Sequence, residues 1–124
     1  MALSRPVAGS ISSRFGSRSS IRSSVHTGLD IATSAGTGIR PAASGTVTFA
    51  AYKGSYGNLI IINHGNGIET YYAHCSAIYV SPGQAVDTGS VIGAVGATGN
   101  ATGPHLHLEI RQNGTPLNPE NYLY

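Results

Sequence analysis

Thr102-Gly103-Pro104-His105-Leu106-His107-Leu108-Glu109-Ile110 is the stretch on which the fold turns. Leu106, Leu108 and Ile110 alternate with His105, His107 and Glu109. A period of two belongs to a strand, whose successive side chains point to opposite faces. The leucines and the isoleucine are therefore predicted to enter a core, with His105 and His107 together on the other face. Two imidazoles on one rigid element can bind a metal, move protons, or divide those tasks.

Outward from this strand, the chain keeps reading as short strands and tight turns. The loop 96–103 precedes it, and Asn113-Gly114 ends it. Gly45–Ala51 reads as a strand, and Asn58–Asn63 carries the apolar run Leu59-Ile60-Ile61-Ile62 of a central one. His64-Gly65-Asn66-Gly67 is a hairpin signal, because Asn and Gly tolerate positive φ. Ile68–His74 is its return strand. Ile31-Ala32 continues an extended piece from 26–30, Val80–Gly93 is a chain of tiny strands and turns, and Val91–Val95 is one more strand. Residues 1–25, rich in Ser and Arg, read as an irregular arm with one short extended piece. No segment has helical periodicity, and there is no repeat array or internal linker. The predicted fold is all-β and antiparallel, with short loops and little or no helix, and residues 1–124 form a single domain.

Composition excludes several classes. Apolar residues make up 40% and charged residues only 10%, which is not a disordered chain. The net charge is +2, and four arginines, Arg5, Arg14, Arg18 and Arg22, crowd the first 22 residues. No basic stripe interleaved with aromatics follows, so no nucleic-acid partner is expected. Cys75 is the single cysteine, which rules out an internal disulfide. No long apolar run and no signal peptide occur, so membrane insertion is not expected.

Histidines stand at 26, 64, 74, 105 and 107. His26 and Asp30 are four apart, a spacing that shares a face on either a helix or a strand. Asp30 is one of only two aspartates. A nitrogen and a carboxylate oxygen, joined by a third nitrogen, make a site resembling a catalytic zinc that keeps its fourth position for water. Spacing does not choose between His105 and His107 as that third ligand. If only one binds, the other is well placed as general base. Glu109 shares their parity and reads as a solvated or supporting residue rather than a ligand. His64 reads as a hairpin residue, and His74 as a strand residue ending the run Glu69–His74. Tyr52, Tyr56, Tyr71 and Tyr72 are candidates to line a groove bordered by the loops 50–57 and 96–103.

His26-Thr27-Gly28-Leu29-Asp30, Tyr72-Ala73-His74 and Gly103-Pro104-His105-Leu106-His107-Leu108-Glu109 together resemble the lysostaphin/LytM-type zinc metallopeptidases. Gly57-Asn58, His64-Gly65-Asn66-Gly67 and Arg111-Gln112-Asn113-Gly114 running on to Asn118-Pro119 add to the likeness, which covers roughly residues 6–124. The resemblance implies a barrel-sandwich arrangement of antiparallel sheets, the duplicated hybrid motif. It implies zinc held by His26, Asp30 and His107. It makes His105 the general base and a protonated His74 the support of the developing oxyanion. The implied activity is endopeptidase cleavage of bacterial peptidoglycan, in a cross-bridge or a stem peptide. The implied setting is extracytoplasmic or phage-borne, and the expected form is an open, active monomer. Cys75 stands where the family often has a bulky aliphatic residue. Adjacent strand residues face opposite ways, so a Cys75–His74 nucleophile pair is not expected.

Two other classes compete. Val80–Gly93 looks like a biotinyl/lipoyl-type carrier, but the only lysine, Lys53, lacks the flanks a carrier needs. A non-catalytic wall-binding or hydrolase-activating relative would typically have lost ligand positions, and all five are present.

Overall fold

The computed structural model describes residues 2–17 and 26–123. Among them the strands are β1 (Ser10–Ser13), β2 (Leu29–Ala32), β3 (Gly38–Ile39), β4 (Gly45–Tyr52), β5 (Asn58–Gly65), β6 (Ile68–Ile78), β7 (Ala85–Val86), β8 (Gly93–Val95), β9 (His105–Gln112) and β10 (Thr115–Leu117). Every ladder between them is antiparallel. The only helical turns among the described residues are 3-10 turns at Gly54–Tyr56 and Pro119–Asn121. The all-β expectation is therefore met. The sheet runs in the order β1-β2-β9-β6-β5-β4-β7, an open path rather than a closed barrel, with β8 branching from β6 and carrying β3.

The alternation in β9 does what its sequence predicts. Leu106, Leu108 and Ile110 are fully buried. Leu106 and Leu108 join Ile31, Ile60, Ile62 and Tyr72 from the main sheet and Ile39, Ile92 and Val95 from the β3–β8 side in one cluster. Burying each such side chain is worth about 1.5–3 kcal/mol. β9 lies between β2 and β6, which pairs Asp30 with His107 on one side and Ala73 with His107 on the other. The opposite face of β9 thus becomes the floor of a site.

The arm is more structured than its polar composition predicts, because it carries two apolar anchors. Leu3 packs with Ala42 and Ile110, and Val7 enters the main core. β1 then pairs with β2. Residues 18–25 of the expected arm lie outside the described residues. Asn66-Gly67 and Asn113-Gly114 form the hairpin turns with φ values of 54°, 77°, 50° and 85°, the positive pair that type I′ turns require. The turn is tighter than predicted, since His64 and Gly65 still belong to β5.

β6 continues past its predicted end at His74 because it is interrupted rather than finished there. Asn58 pairs with Cys75 and Ile60 with Tyr72, so Ala73 and His74 together oppose Leu59 alone. That is a β-bulge. His74 takes a φ of 66° within it, a conformation that costs a non-glycine residue about 1–3 kcal/mol. The bulge is braced from β5, whose Asn58 side-chain amide donates to the Cys75 carbonyl at 2.9 Å.

Candidate metal centre

His26, Asp30 and His107 converge, although 81 positions separate the first from the last. Two local features bring them together. β2 pairs in register with β9 and sets Asp30 directly against His107. Gly28 lets the segment before β2 press onto β9: a Cβ there would run into the Leu108 carbonyl and lie 2.9 Å from His107 Cε1. His26 Nε2 stands 3.1 Å from His107 Nδ1 and 3.2 Å from Asp30 Oδ1, and His107 Nδ1 stands 2.8 Å from the same oxygen. All three residues are buried.

The outward nitrogens show what occupies the inner ones. His26 Nδ1 lies 3.1 Å from the Arg14 carbonyl oxygen. A carbonyl can only accept, so Nδ1 carries the proton and Nε2 offers a lone pair. His107 Nε2 lies 2.7 Å from the Glu109 carboxylate. Glu109 is ionised, for although burial alone would raise its pKa, His107 and Arg111 hold it down at about 2. His107 Nε2 therefore donates, and its Nδ1 turns a lone pair toward Asp30. Two lone pairs and a carboxylate oxygen thus share one point. Such a group needs a cation between its members. Burial lowers the His107 pKa, but hydrogen bonds to Asp30 and Glu109 outweigh it and raise the value to about 9. Burial likewise raises the Asp30 pKa, and its bonds to His107 and His26 carry it well below the usual carboxylate range. Tetrahedral zinc with bonds of about 2.0–2.1 Å spaces its ligand atoms roughly 3.3 Å apart. The two contacts of His26 Nε2 approach that spacing, and the donor set of two imidazoles and one carboxylate suits the same metal.

Two further imidazoles border this point. His105 Nδ1 donates to the Gly103 carbonyl at 2.9 Å, and its Nε2 is 3.8 Å from Asp30 Oδ2. His74 Nδ1 donates to the Thr98 carbonyl at 2.7 Å. The His74 and His105 rings are 4.8 Å apart between centroids. Burial lowers the His74 pKa, and the neighbouring His105 and His107 add to this against the Thr98 bond. With Nδ1 bonded to Thr98, Nε2 is the His74 nitrogen that faces the site. Cys75 lies in the main core, where burial pushes its thiol up to about 12, so it is no nucleophile.

These residues open on a cleft of about 400 Å³. Ser55 and Tyr56 border one side and Asn100, Ala101 and Thr102 another, the two loops expected to do so. They are tied together: Asn58 N donates to Thr98 Oγ1, Thr98 Oγ1 to the Cys75 carbonyl, and Asn100 N to the Ser55 carbonyl. Of the four candidate tyrosines only Tyr56 lines the cleft. Tyr71 packs against Tyr56 and Arg111, Tyr72 is fully buried in the core, and Tyr52 is exposed. Thr27 and Glu109 also line the cleft. Thr27 and Arg111 stand in the motifs that carry the resemblance but had no role assigned to them there, and Glu109 was noticed for its parity with the histidines.

His64 is more than a hairpin residue. Its Nδ1 donates to the Ser44 carbonyl at 2.8 Å, and its Nε2 lies 2.7 Å from Thr70 Oγ1. Thr70 Oγ1 is 2.6 Å from the Tyr72 hydroxyl, which accepts from Ala42 N at 2.9 Å. The network stands apart from the cleft.

A buried His/Asp/His triad, carried by β2, β9 and the segment before β2, lies open to a cleft and is flanked by two more imidazoles, a set that could hold a metal ion beside groups able to move protons. Residues 24–119 match Peptidase family M23, and the chain belongs to that family. Over 95 residues it is 54% identical to the DD-carboxypeptidase/endopeptidase Mpg of Neisseria meningitidis, a match that takes in 77% of this chain and 22% of that protein. The chain thus spans about a fifth of the length of this curated relative. A zinc-containing peptidase from Vibrio cholerae superposes with a TM-score of 0.87 at 32% identity, over 95% of this chain and 39% of the other. The catalytic domain of the antimicrobial peptidase lysostaphin from Staphylococcus simulans superposes with a TM-score of 0.84 at 28% identity, over 91% and 90% of the two chains.

Proposed function

We propose that this chain is the catalytic domain of a zinc endopeptidase that hydrolyses peptide bonds of bacterial peptidoglycan. The observation that carries the reading is the convergence of His26 Nε2, His107 Nδ1 and Asp30 Oδ1 within 3.2 Å of one another at the floor of an open cleft. These three residues would hold the metal. The DD-bond named for the relative at 54% identity favours the DD-cross-link over a glycine bridge as substrate. Such a substrate places the working protein outside the cytoplasmic membrane.

When bound, zinc supplies an acidified water and polarisation of the scissile carbonyl. His105 is the general base. With Nδ1 committed to Gly103, its Nε2 takes the proton of the attacking water and returns it to the leaving amine. His74, with Nδ1 committed to Thr98, has Nε2 left to meet the attacked carbonyl oxygen once that nitrogen carries a proton. Tyr56 and the 100–102 segment border the space where the peptide lies.

Metal analysis and digestion of defined cross-linked muropeptides, read by mass spectrometry, test the reading. About one zinc per chain and cleavage of a DD-cross-link are expected. Asp30→Ala should lose both. A metal-free protein with full activity, or a zinc-loaded one inert on every wall type, would overturn it.

A further inference from the structure

Glu109 is fully buried and accepts five hydrogen bonds. Its Oε2 accepts from His107 Nε2 at 2.7 Å, from the Tyr56 hydroxyl at 2.9 Å and from Thr27 Oγ1 at 3.0 Å. Its Oε1 accepts from Arg111 Nε at 2.8 Å and from Arg111 Nη2 at 2.6 Å. A carboxylate has about four lone-pair sites, so these donors saturate it and leave none for a cation. Glu109 cannot serve as a metal ligand without breaking this shell.

The donors come from three separate places: the segment before β2, the 3-10 turn at Gly54–Tyr56, and β9 itself. On β9, His107, Glu109 and Arg111 follow at intervals of two and share the site face. Arg111 is fixed in turn by the Tyr71 ring, 4.7 Å below its guanidinium carbon, and by a 3.2 Å bond to the Tyr56 hydroxyl. The bidentate Arg111 pair holds the carboxylate plane still. His26 contrasts with this, since among the described residues its outward nitrogen meets neutral groups, the Arg14 carbonyl and the Ser13 hydroxyl. The metal-site imidazole backed by a carboxylate on its outward side is His107.

We propose that Glu109 is the positioning residue of the metal centre: held by Arg111, Tyr56 and Thr27, it keeps the proton of His107 on Nε2 and so aims the Nδ1 lone pair at the metal. A carboxylate behind a ligating imidazole fixes its tautomer and raises its basicity. The same carboxylate ties the Tyr56 turn to the metal side of the cleft. The inference rests on the zinc reading above and adds a role for a residue that touches neither metal nor substrate.

Zinc affinity of the full chain, measured by competition with a chromophoric chelator, tests it alongside thermal melting. Glu109→Gln should weaken zinc binding roughly 10–100-fold. Thr27→Val, which removes a bond to the carboxylate but leaves the imidazole contact, should shift it less than about threefold. A purely structural Glu109 would lower the melting temperature and leave the zinc affinity of the folded protein unchanged, which overturns the proposal while the zinc reading stands. A wild-type chain that binds no zinc overturns both. Should Glu109→Gln fail to fold, ring-nitrogen NMR of the zinc-loaded wild type decides. Zinc on Nδ1 of His107 with a slowly exchanging proton on Nε2 is expected, and zinc on Nε2 overturns the proposal.

Discussion

Among the described residues, two polar clusters are built around histidine, and they are built in opposite ways. Around His64, every donor has its acceptor. The Ala42 N–H donates to Tyr72, the Tyr72 hydroxyl to Thr70, the Thr70 hydroxyl to Nε2, and Nδ1–H to the Ser44 carbonyl. One neutral arrangement satisfies the whole chain. Around His107, two ring nitrogens face each other at 3.1 Å across one carboxylate oxygen. Three potential ligand atoms converge there, which an all-neutral chain of donors and acceptors does not require. A cluster complete in itself supports the fold, whereas one whose nitrogens and carboxylate oxygen converge on a single point is suited to hold a cation there. Exposure of the partners does not separate them, since Thr70 and Tyr72 are as buried as any residue of the site.

The largest expected effect comes from removing a lone pair from the incomplete cluster. His107→Ala should take the zinc content from about one per chain to none and abolish cleavage of cross-linked muropeptides. His105→Ala sharpens the contrast within the site: it should keep zinc and lose turnover by about 10²–10⁴-fold, the usual worth of a positioned base. Elemental analysis and turnover on the same samples separate the two variants. Loss of zinc in His105→Ala would mean that the imidazoles do not divide their tasks. His105→Ala should leave the melting temperature of the metal-free chain nearly unchanged, whereas His107→Ala should lower it, because it takes a hydrogen-bond partner from two buried carboxylates, Asp30 and Glu109.

How much of this was legible in the sequence depends on whether strict alternation holds. In β9 it does, and Leu106, Leu108, His105 and His107 could be placed from the period alone. Asp30 and His26 were visible as a pair, but their meeting with β9 depends on a register and on the bare Cα of Gly28, neither of which is local. His74 was legible only through resemblance. Parity with Tyr72 sends it to the core, and the bulge at Ala73-His74 reverses that by placing Cys75 in the core instead. Nothing in Ala73-His74-Cys75 signals a φ of 66°. The partner that braces it, Asn58, is 17 residues away. His64 was underread for the same reason, since Thr70 and Tyr72 reach it only once the hairpin has closed.

The complete cluster should respond to damage in stability rather than in chemistry. Tyr72→Phe removes a hydroxyl that accepts from Ala42 N and donates to Thr70, both buried. Leaving the Ala42 N–H without its partner should cost about 1–3 kcal/mol. Urea denaturation should record that loss, with zinc content and turnover per folded molecule unchanged. A fall in zinc affinity would break the comparison by coupling the two clusters.

The smallest effect is a slope, and its sign follows from the direction of the chain around His64. Burial lowers the His64 pKa below the usual imidazole value, and the Ser44 bond only partly restores it. The neutral ring accepts from Thr70. A protonated ring would have to donate there instead, forcing Thr70 and Tyr72 to turn their hydroxyl protons elsewhere. As pH falls through about 6.5, the unfolded chain takes up a proton that the folded chain still refuses, so stability drops. The loss ends below the folded pKa, where both states are protonated. The limiting slope is about 1.4 kcal/mol per pH unit, and screening reduces it because the ring is only half-buried. His64→Gln retains a side-chain donor and acceptor but does not titrate. The wild-type slope minus the variant's, from urea midpoints between pH 5 and 7.5, therefore isolates His64 from the cleft histidines common to both proteins. A positive difference is expected. No difference would mean that Thr70 and Tyr72 can reverse their bonds freely, and the His64 cluster would then be adaptable rather than complete.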